Sequence, residues 1–517
     1  MMKKILLFVV PLAAVAITSF AQVQRRNTQG QRISLTVKDS ITADPRDTVL
    51  GHPSVTRHDL SVDGRIIHYT ATAGYMPMKD KDDKLLAKIF YVAYEADNQE
   101  KGKRPVTFVF NGGPGSASIW LHMGSFGPVR VQFGDDKGNA SAPPYHYSDN
   151  PYTWLGFTDL VFIDPVSTGY SRSAKGVDVN QFHGYTEDLA SVGDFIRLYV
   201  TKNSRWSSPK FIAGESYGTT RAAGLSGYLQ SQYGMYLNGI TLISSVLNFQ
   251  LIDFNHGNEM PYQFFLPTYA ATAQYHHKLS APLQSLSTEE LVKRAELFTM
   301  GTYAYFLGEG DTASPELTNK VVDTLNYFTG ISKEYIRRAN ERITDFRFFK
   351  EVLRNDGKIV GRYDSRFTGE DIDDAGEYPS YDPSDANLNG LFISTFNNYV
   401  RNDLGYKNDI PYEAVTNVRP WDYKPAINSY LDVSETLRSA MTENPHLKVN
   451  VVCGYYDLAT PVYNAEYVVN HMGLKSDVRK NIILNYYKAG HMVYVSKETD
   501  AKLKSDEEKF YRDALNQ

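Results

Sequence analysis

From Val55 onward the chain alternates apolar and polar positions, first over Ser54 to Val62, then over Arg65 to Ala71 and Leu86 to Tyr94. A period of two predicts strands with one buried face, and three in succession predict an early antiparallel sheet. The pattern then changes. Short continuous apolar runs appear at Val106 to Phe110, Phe211 to Ala213, Leu447 to Cys453 and Ile482 to Tyr487. Runs of that length, bounded by turn residues, predict strands buried on both faces. Helix-spaced stretches fall between them, Thr219 to Gln230 among them. Strands alternating with helices up to about Leu247 predict an α/β fold. Its sheet is mostly parallel, carries helices on both faces and resumes at Leu447.

The interval between Leu247 and Leu447 has another character. Thr288 to Leu307, Ser314 to Phe328, Ser332 to Asn340 and Ile343 to Arg354 show helical spacing. Ser287, with Glu290 three residues on, makes a capping box. Asp371 to Asn389 is acidic, rich in Pro, Ser and Asn, and reads as a loop. The core is therefore expected in two parts, 54–250 and 444–517, with a largely helical insertion over 251–443. An insertion there would sit over the C-terminal edge of the sheet as a cap and shape a pocket. No internal repeat is visible.

The N-terminus adds a destination. Met1 to Ala21 has a basic start at Lys3 and Lys4, an apolar stretch from Ile5 to Ile17, and small residues at Ser19 and Ala21. That is the pattern of a secretory signal peptide cut after Ala21. Gln22 to about Pro53 is polar and reads as a flexible leader. No other apolar run approaches membrane-spanning length, so the mature chain is expected to be exported without a membrane span. It carries one cysteine, Cys453, within a predicted strand. One thiol forms no disulfide within the chain, which fits a bacterial periplasmic or secreted protein better than a eukaryotic secreted hydrolase. The formal net charge of −5 and the scattered lysines and arginines argue against nucleic acid.

The chemistry lies in the turns after the apolar runs. Phe211 to Ala213 leads into Gly214-Glu215-Ser216-Tyr217-Gly218 and then a helix. Strand, G-x-S-x-G and helix make a nucleophile elbow, in which a strained serine stands exposed at the top of a sheet. A serine nucleophile needs a base, and the base an orienting acid. In α/β-hydrolases the chain order is serine, acid, histidine. Asp457 follows the run ending at Cys453, and His491 follows the run ending at Tyr487. His471, the other histidine after Asp457, falls in a helix-like stretch. Asp457 also has an ordinary alternative as a turn or capping aspartate before Thr460-Pro461. The oxyanion hole would use the N–H of Tyr217 and that of Gly113, in the loop Asn111-Gly112-Gly113-Pro114-Gly115-Ser116. That loop lacks the lysine of a phosphate-binding loop, so no nucleotide is expected. Asp371, Asp373, Asp374 and Glu377 match a calcium loop poorly and read as a solvated loop. No cofactor or metal is expected.

Six segments together carry a resemblance. They are Asn111 to Ser116, Gly127-Pro128, Asn150 to Trp154, Asp164 to Ser171, Gly214 to Gly218 and Gly490 to Val493. In order and rough spacing they resemble the serine carboxypeptidase family, over about residues 100–235 and 445–495. The resemblance implies release of C-terminal residues from peptides through an acyl-enzyme. Ser216 would be the nucleophile, His491 the base and acid, and Asp457 its orienting carboxylate. It also implies that Asn111 and Glu215 bind the substrate's terminal carboxylate. A buried Glu215 would be protonated and donate to that carboxylate, though a purely structural role stays open. Three positions depart from the family. Ser125 stands where a second acid is usual, Val109 replaces a tryptophan, and Tyr455 replaces the first acid of G-D-x-D. The first two weaken the carboxylate-binding network. An esterase, amidase or acyltransferase with the same three residues remains a rival, as does a non-catalytic binding protein.

Overall fold

The computed structural model describes residues 52–516. The expected signal peptide and nearly all of the expected polar leader lie outside the described residues. The early strands are β1 (Ser54–Val62), β2 (Arg65–Lys79) and β3 (Leu85–Ala96). They pair antiparallel. The apolar runs form β4 (Val106–Phe110), β5 (Asp159–Ile163), β6 (Lys210–Glu215), β7 (Gly239–Ile243), β8 (Lys448–Gly454) and β9 (Ile482–Tyr487). The sheet runs β1-β2-β3-β5-β4-β6-β7-β8-β9, and Arg172–Ser173 adds a short tenth strand beside β3. From β5 to β9 every neighbouring pair is parallel. This is the α/β-hydrolase fold, with the parallel half running across its centre.

Side chains from alternate positions of the parallel strands go to opposite faces, and each face meets its own helices. Phe108, Phe110, Ile212, Ile240, Leu242, Val449 and Val451 share a core with α1 (Tyr185–Lys202) and α2 (Tyr217–Tyr233). Val109, Phe211, Ala213, Ile243 and Val452 belong to a second core. All but one of the strands β4 to β8 are buried along their whole length, as their unbroken apolar runs require, and in β8 only Lys448 is partly exposed. β9 is the edge strand, and four of its six residues are partly or fully exposed.

The segment between β7 and β8 is mostly helical. Its helices include α3 (Met260–Tyr275), α4 (Thr288–Phe298), α5 (Pro315–Thr329), α6 (Pro383–Asn402) and α7 (Ser434–Glu443). Ser287, Ser314 and Ser332 each accept an N–H from the first turn of the helix they cap. Phe265, Tyr269, Leu291, Val321, Leu325 and Phe348 gather in a third core belonging to this segment. α6 and α7 instead pack on the sheet. Phe392 of α6 lies 5.1 Å ring to ring from Trp120, and Leu437 and Met441 of α7 join the core of α2. The helix expected over Thr288 to Leu307 is interrupted by a wide turn at Thr299–Tyr303. The loop expected over Asp371 to Asn389 ends early, because α6 begins at Pro383. Asp382 accepts the N–H of Ser384 and Pro383 fills the first helical position, two start signals masked by the polar composition. Within the remaining loop Asp371 is ion-paired with the buried Lys350 and Glu377 with Arg347. After β8 and β9 the chain closes with α8 (Val462–His471) and α9 (Lys497–Leu515), the latter packed on the second face.

Strand register places the chemistry. Phe110 pairs with Gly214, Glu215 with Ile243, Ile243 with Val452, and Gly454 with Tyr487. The C-terminal ends of β4, β6, β8 and β9 therefore lie level along one edge. The loops that leave them carry Asn111 to Ser116, Ser216, Asp457 and His491.

Candidate active site

Ser216 follows β6 directly and caps α2. Its backbone sits at φ +60°, ψ −130°, a conformation that costs a non-glycine residue on the order of 1–3 kcal/mol. The elbow is held by packing on both sides. A Cβ on Gly214 would lie 2.2 Å from the carbonyl oxygen of Gly218, and one on Gly112 would lie 2.4 Å from the N of Tyr217. So the loop after β4 presses against the first turn of α2, whose leading N–H groups have no partner within the helix. The Ser216 side chain is half-buried and, among the described residues, makes no hydrogen bond. Such bonds are often long before substrate binds.

His491 and Asp457 meet across their two loops. His491 Nδ1 lies 2.8 Å from Asp457 Oδ2, and both residues are buried. The second oxygen of Asp457 accepts the N–H groups of Ala459 and Thr460 at 2.8 and 2.9 Å. The Thr460 hydroxyl donates to Oδ2 at 2.6 Å. Asp457 is thus both a turn aspartate and the partner of a histidine, with one oxygen for each role. Burial pushes its carboxyl up, but the charge and hydrogen bond of His491 and the donors of Thr460 outweigh that and hold it below the usual range. Burial pulls His491 down, and Asp457 beside it more than compensates, so its imidazole is raised. The backbone of His491 is clamped as well. Its N–H donates to the carbonyl of Tyr363 at 2.5 Å, and its carbonyl accepts the Ser244 hydroxyl at 2.6 Å. Ser244 adjoins Ile243, whose carbonyl accepts the N–H of Ser216 at 3.0 Å, so the two loops share one support.

Asn111 and Glu215 are also brought together. Asn111 Nδ2 donates to Glu215 Oε1 at 2.8 Å, and Asn111 Oδ1 accepts the N–H of Leu121. Arg221, buried in α2 and ion-paired with Asp188 at 2.7 Å, donates to the carbonyl of Asn111 at 2.8 Å. Burial pushes the Glu215 carboxyl up to about 7, against the pull of the His491 charge, Tyr494 and Asn111. Its Oε2 is buried without a hydrogen-bond partner among the described residues. A carboxyl with one unpaired, fully buried oxygen favours the neutral form.

Ser125 is not left without an acid. Its hydroxyl donates at 2.6 Å to Asp500 of α9, and Arg130 stands 3.0 Å from the other oxygen of Asp500. The sequence offered no sign of this contact, which joins residues 375 positions apart. Tyr363, Ser244 and Arg221 were equally invisible, because they act on backbone groups that any residue would present. Thr460 was legible as part of an aspartate turn, but its hydroxyl bond to Asp457 was not.

The buried carboxyls set a pH dependence of stability. Glu215 sits near 7, and Glu507, buried and bonded only to Thr241 and Asn450, is pushed up to about 8. In the unfolded chain both ionise near 4.3. Above about pH 4.3 these two groups therefore hold more protons in the folded protein than in the unfolded one, and the stability they contribute is lost as pH rises from there through 7 and 8. His122, lowered to about 3 by burial, acts in the opposite sense, but only below its unfolded value near 6.5. The expected result is a melting temperature a few degrees lower at pH 8.5 than at pH 6.5, and Glu507→Gln reduces that difference. Thermal melts at constant ionic strength measure both.

Comparison with known proteins places the chain. Residues 62–503 match the family model of the serine carboxypeptidases. Serine carboxypeptidase 1 of Hordeum vulgare is 29% identical over 153 residues, 29% of this chain and 28% of that protein. Carboxypeptidase Y of Saccharomyces cerevisiae is 30% identical over 168 residues, 31% of this chain and 26% of that protein. The aligned stretches thus span under a third of those relatives. A prohormone-processing carboxypeptidase from Saccharomyces cerevisiae superposes with a TM-score of 0.52 at 15% identity, covering 86% of this chain and 91% of its own, which reports the fold. With most of its length matched by the family model, the chain belongs to the serine carboxypeptidase family.

Proposed function

We propose that this protein is an exported serine carboxypeptidase that removes C-terminal residues from peptides through an acyl-enzyme. Ser216 Oγ attacks the last peptide carbonyl while His491 takes its proton. The N–H groups of Gly113 and Tyr217 receive the oxyanion. His491, held in one tautomer by Asp457, returns the proton to the leaving nitrogen, and the C-terminal amino acid departs. Water then attacks the acyl-Ser216 carbonyl, giving its proton to His491. The shortened peptide leaves as Ser216 regains its hydrogen. The helices from α3 to α5, with their own core, cap the cleft. The chemistry needs no metal or cofactor.

The observation that supports exopeptidase specificity is the Asn111–Glu215 bond beside Ser216. Glu215 occupies the position before Ser216, so its carboxyl lies within one residue of the scissile bond. With a value near 7 it is largely neutral in mild acid and donates a hydrogen bond to the substrate's terminal carboxylate; ionised, it repels that group. Loss of the charge-assisted bond is worth about 1.5–3 kcal/mol. Amidated peptides should therefore be cleaved with kcat/KM roughly 10- to 150-fold below their free-acid twins. For free acids KM should rise above about pH 7. Glu215→Gln keeps a donor at every pH and should flatten that rise. Steady-state kinetics on paired peptides from pH 5 to 9 tests this. Equal values for acid and amide, with Glu215→Gln silent throughout, would favour a general esterase or amidase instead.

Export rests on Lys3, Lys4, the apolar stretch and the small residues ending at Ala21. Among the described residues no helix is long and apolar enough to cross a membrane. Protein recovered from native cells should begin at or within a few residues of Gln22, and mass spectrometry finding Met1 intact would contradict export.

A further inference from the structure

The loop that carries His491 runs on through Met492 and Val493 to Tyr494, whose side chain is fully buried. Two neighbours hold its ring in place. A Cβ on Gly124 would lie 2.4 Å from the ring's Cε2, so the ring rests where Gly124 has no side chain. Arg130 donates through Nε to the carbonyl of Gly124 at 2.9 Å and through Nη2 to that of Tyr494 at 2.8 Å, tying the two segments together. The same guanidinium faces Asp500, to which Ser125 is committed. The hydroxyl that reaches Glu215 from this side is that of Tyr494. It pairs with the side chains of both Glu215 and Asn111, in contacts looser than an ordinary hydrogen bond. The Tyr494 hydroxyl and Glu215 Oε2 are both buried, and neither closes a bond of ordinary geometry among the described residues.

A phenol in this place differs from a second acid. Burial and the charge of Glu215 push Tyr494 well above its usual range, so it remains a donor wherever the enzyme works. Asn111 already donates to Oε1 of Glu215, so the proton of a neutral Glu215 belongs on Oε2. A hydroxyl aimed at this carboxyl fixes its orientation and favours its ionised form, against the pull of burial. Loose contacts of this kind tighten when substrate binds.

We propose that Tyr494 is a positioning residue for the end of the peptide: its hydroxyl donates to the Glu215 carboxyl and, with Asn111, holds it facing the substrate's terminal carboxylate. This inference rests on the carboxypeptidase reading above. It is tested by measuring KM from pH 5 to 9 for free-acid and amidated peptides, with the full-length mature protein and its variants. Removing the donor leaves Glu215 neutral to higher pH, so in Tyr494→Phe the KM rise of the free acids should move up by about one pH unit. Below that rise their KM should grow about 2- to 12-fold as the carboxyl loses its hold, and the preference for acid over amide should fall with it. Gly124→Ala pushes the ring aside while keeping its hydroxyl, and should move the rise in the same direction. His491 and Asp457 share the field of Glu215, and Asp500, itself pushed up to about 7, that of Tyr494. Tyr494→Phe made together with Glu215→Gln separates them: a shift carried by Glu215 disappears, and one carried by His491 or Asp500 remains. A rise unmoved in both single variants, a shift that survives alongside Glu215→Gln, or an equal loss on acids and amides would overturn this proposal alone. A wild-type enzyme that treats acids and amides alike at every pH would remove the carboxypeptidase reading, and the proposal with it.

Discussion

Replacing Ser216 with alanine is expected to lower kcat by roughly 10⁴- to 10⁶-fold, and His491→Ala by a similar factor. The double variant should be little worse than either single one, because nucleophile and base act as a unit. The backbone at Ser216 is strained. A serine at φ +60° is held there by close packing of Gly214 on Gly218 and of Gly112 on Tyr217, and a merely structural turn would have no reason to keep it. The residual rate in Ser216→Ala should reflect the oxyanion donors and substrate binding alone. Full activity in Ser216→Ala would end the serine-hydrolase reading. Additive losses in the double variant would separate the two residues.

Asp457→Asn should lower kcat by about 10⁴-fold while leaving the fold intact. Asp457 accepts four hydrogen bonds, two from backbone N–H groups, one from Thr460 and one from His491. The amide oxygen of asparagine can keep the two backbone donors. Its NH₂ then faces Nδ1 and selects the wrong tautomer, leaving the nitrogen that should accept the proton of Ser216 already protonated. The ion pair that raises His491 is lost as well, so the imidazole should titrate lower. A kcat loss with KM and melting temperature little changed distinguishes this from unfolding. Thr460→Val should cost far less, because the carboxylate remains.

Much of this was written in local pattern. The strands β4, β6, β8 and β9 follow from their apolar runs, and each leads into a loop whose glycines and polar residues stand out against it. Register then aligns those loops, and parallel pairing makes that alignment nearly unavoidable once the order of strands is given. The start of α6 at Pro383 was hidden because an acidic, proline-rich stretch carries loop composition and helix-start signals at once. Asp500 beside Ser125 is a different kind of miss. The family position for an acid reads as empty along the chain, yet α9 returns a carboxylate to it through space.

The central claim is that Ser216 removes residues from the C-terminus of a peptide. The direct measurement is mass spectrometry of a peptide with a free C-terminus and its amidated twin, each incubated with the wild-type protein and with Ser216→Ala. Expected are a ladder of single-residue losses from the C-terminus of the free acid, much slower loss from the amide, and neither with Ser216→Ala. Cleavage at internal bonds, equal processing of acid and amide, or an unchanged ladder with Ser216→Ala would contradict it.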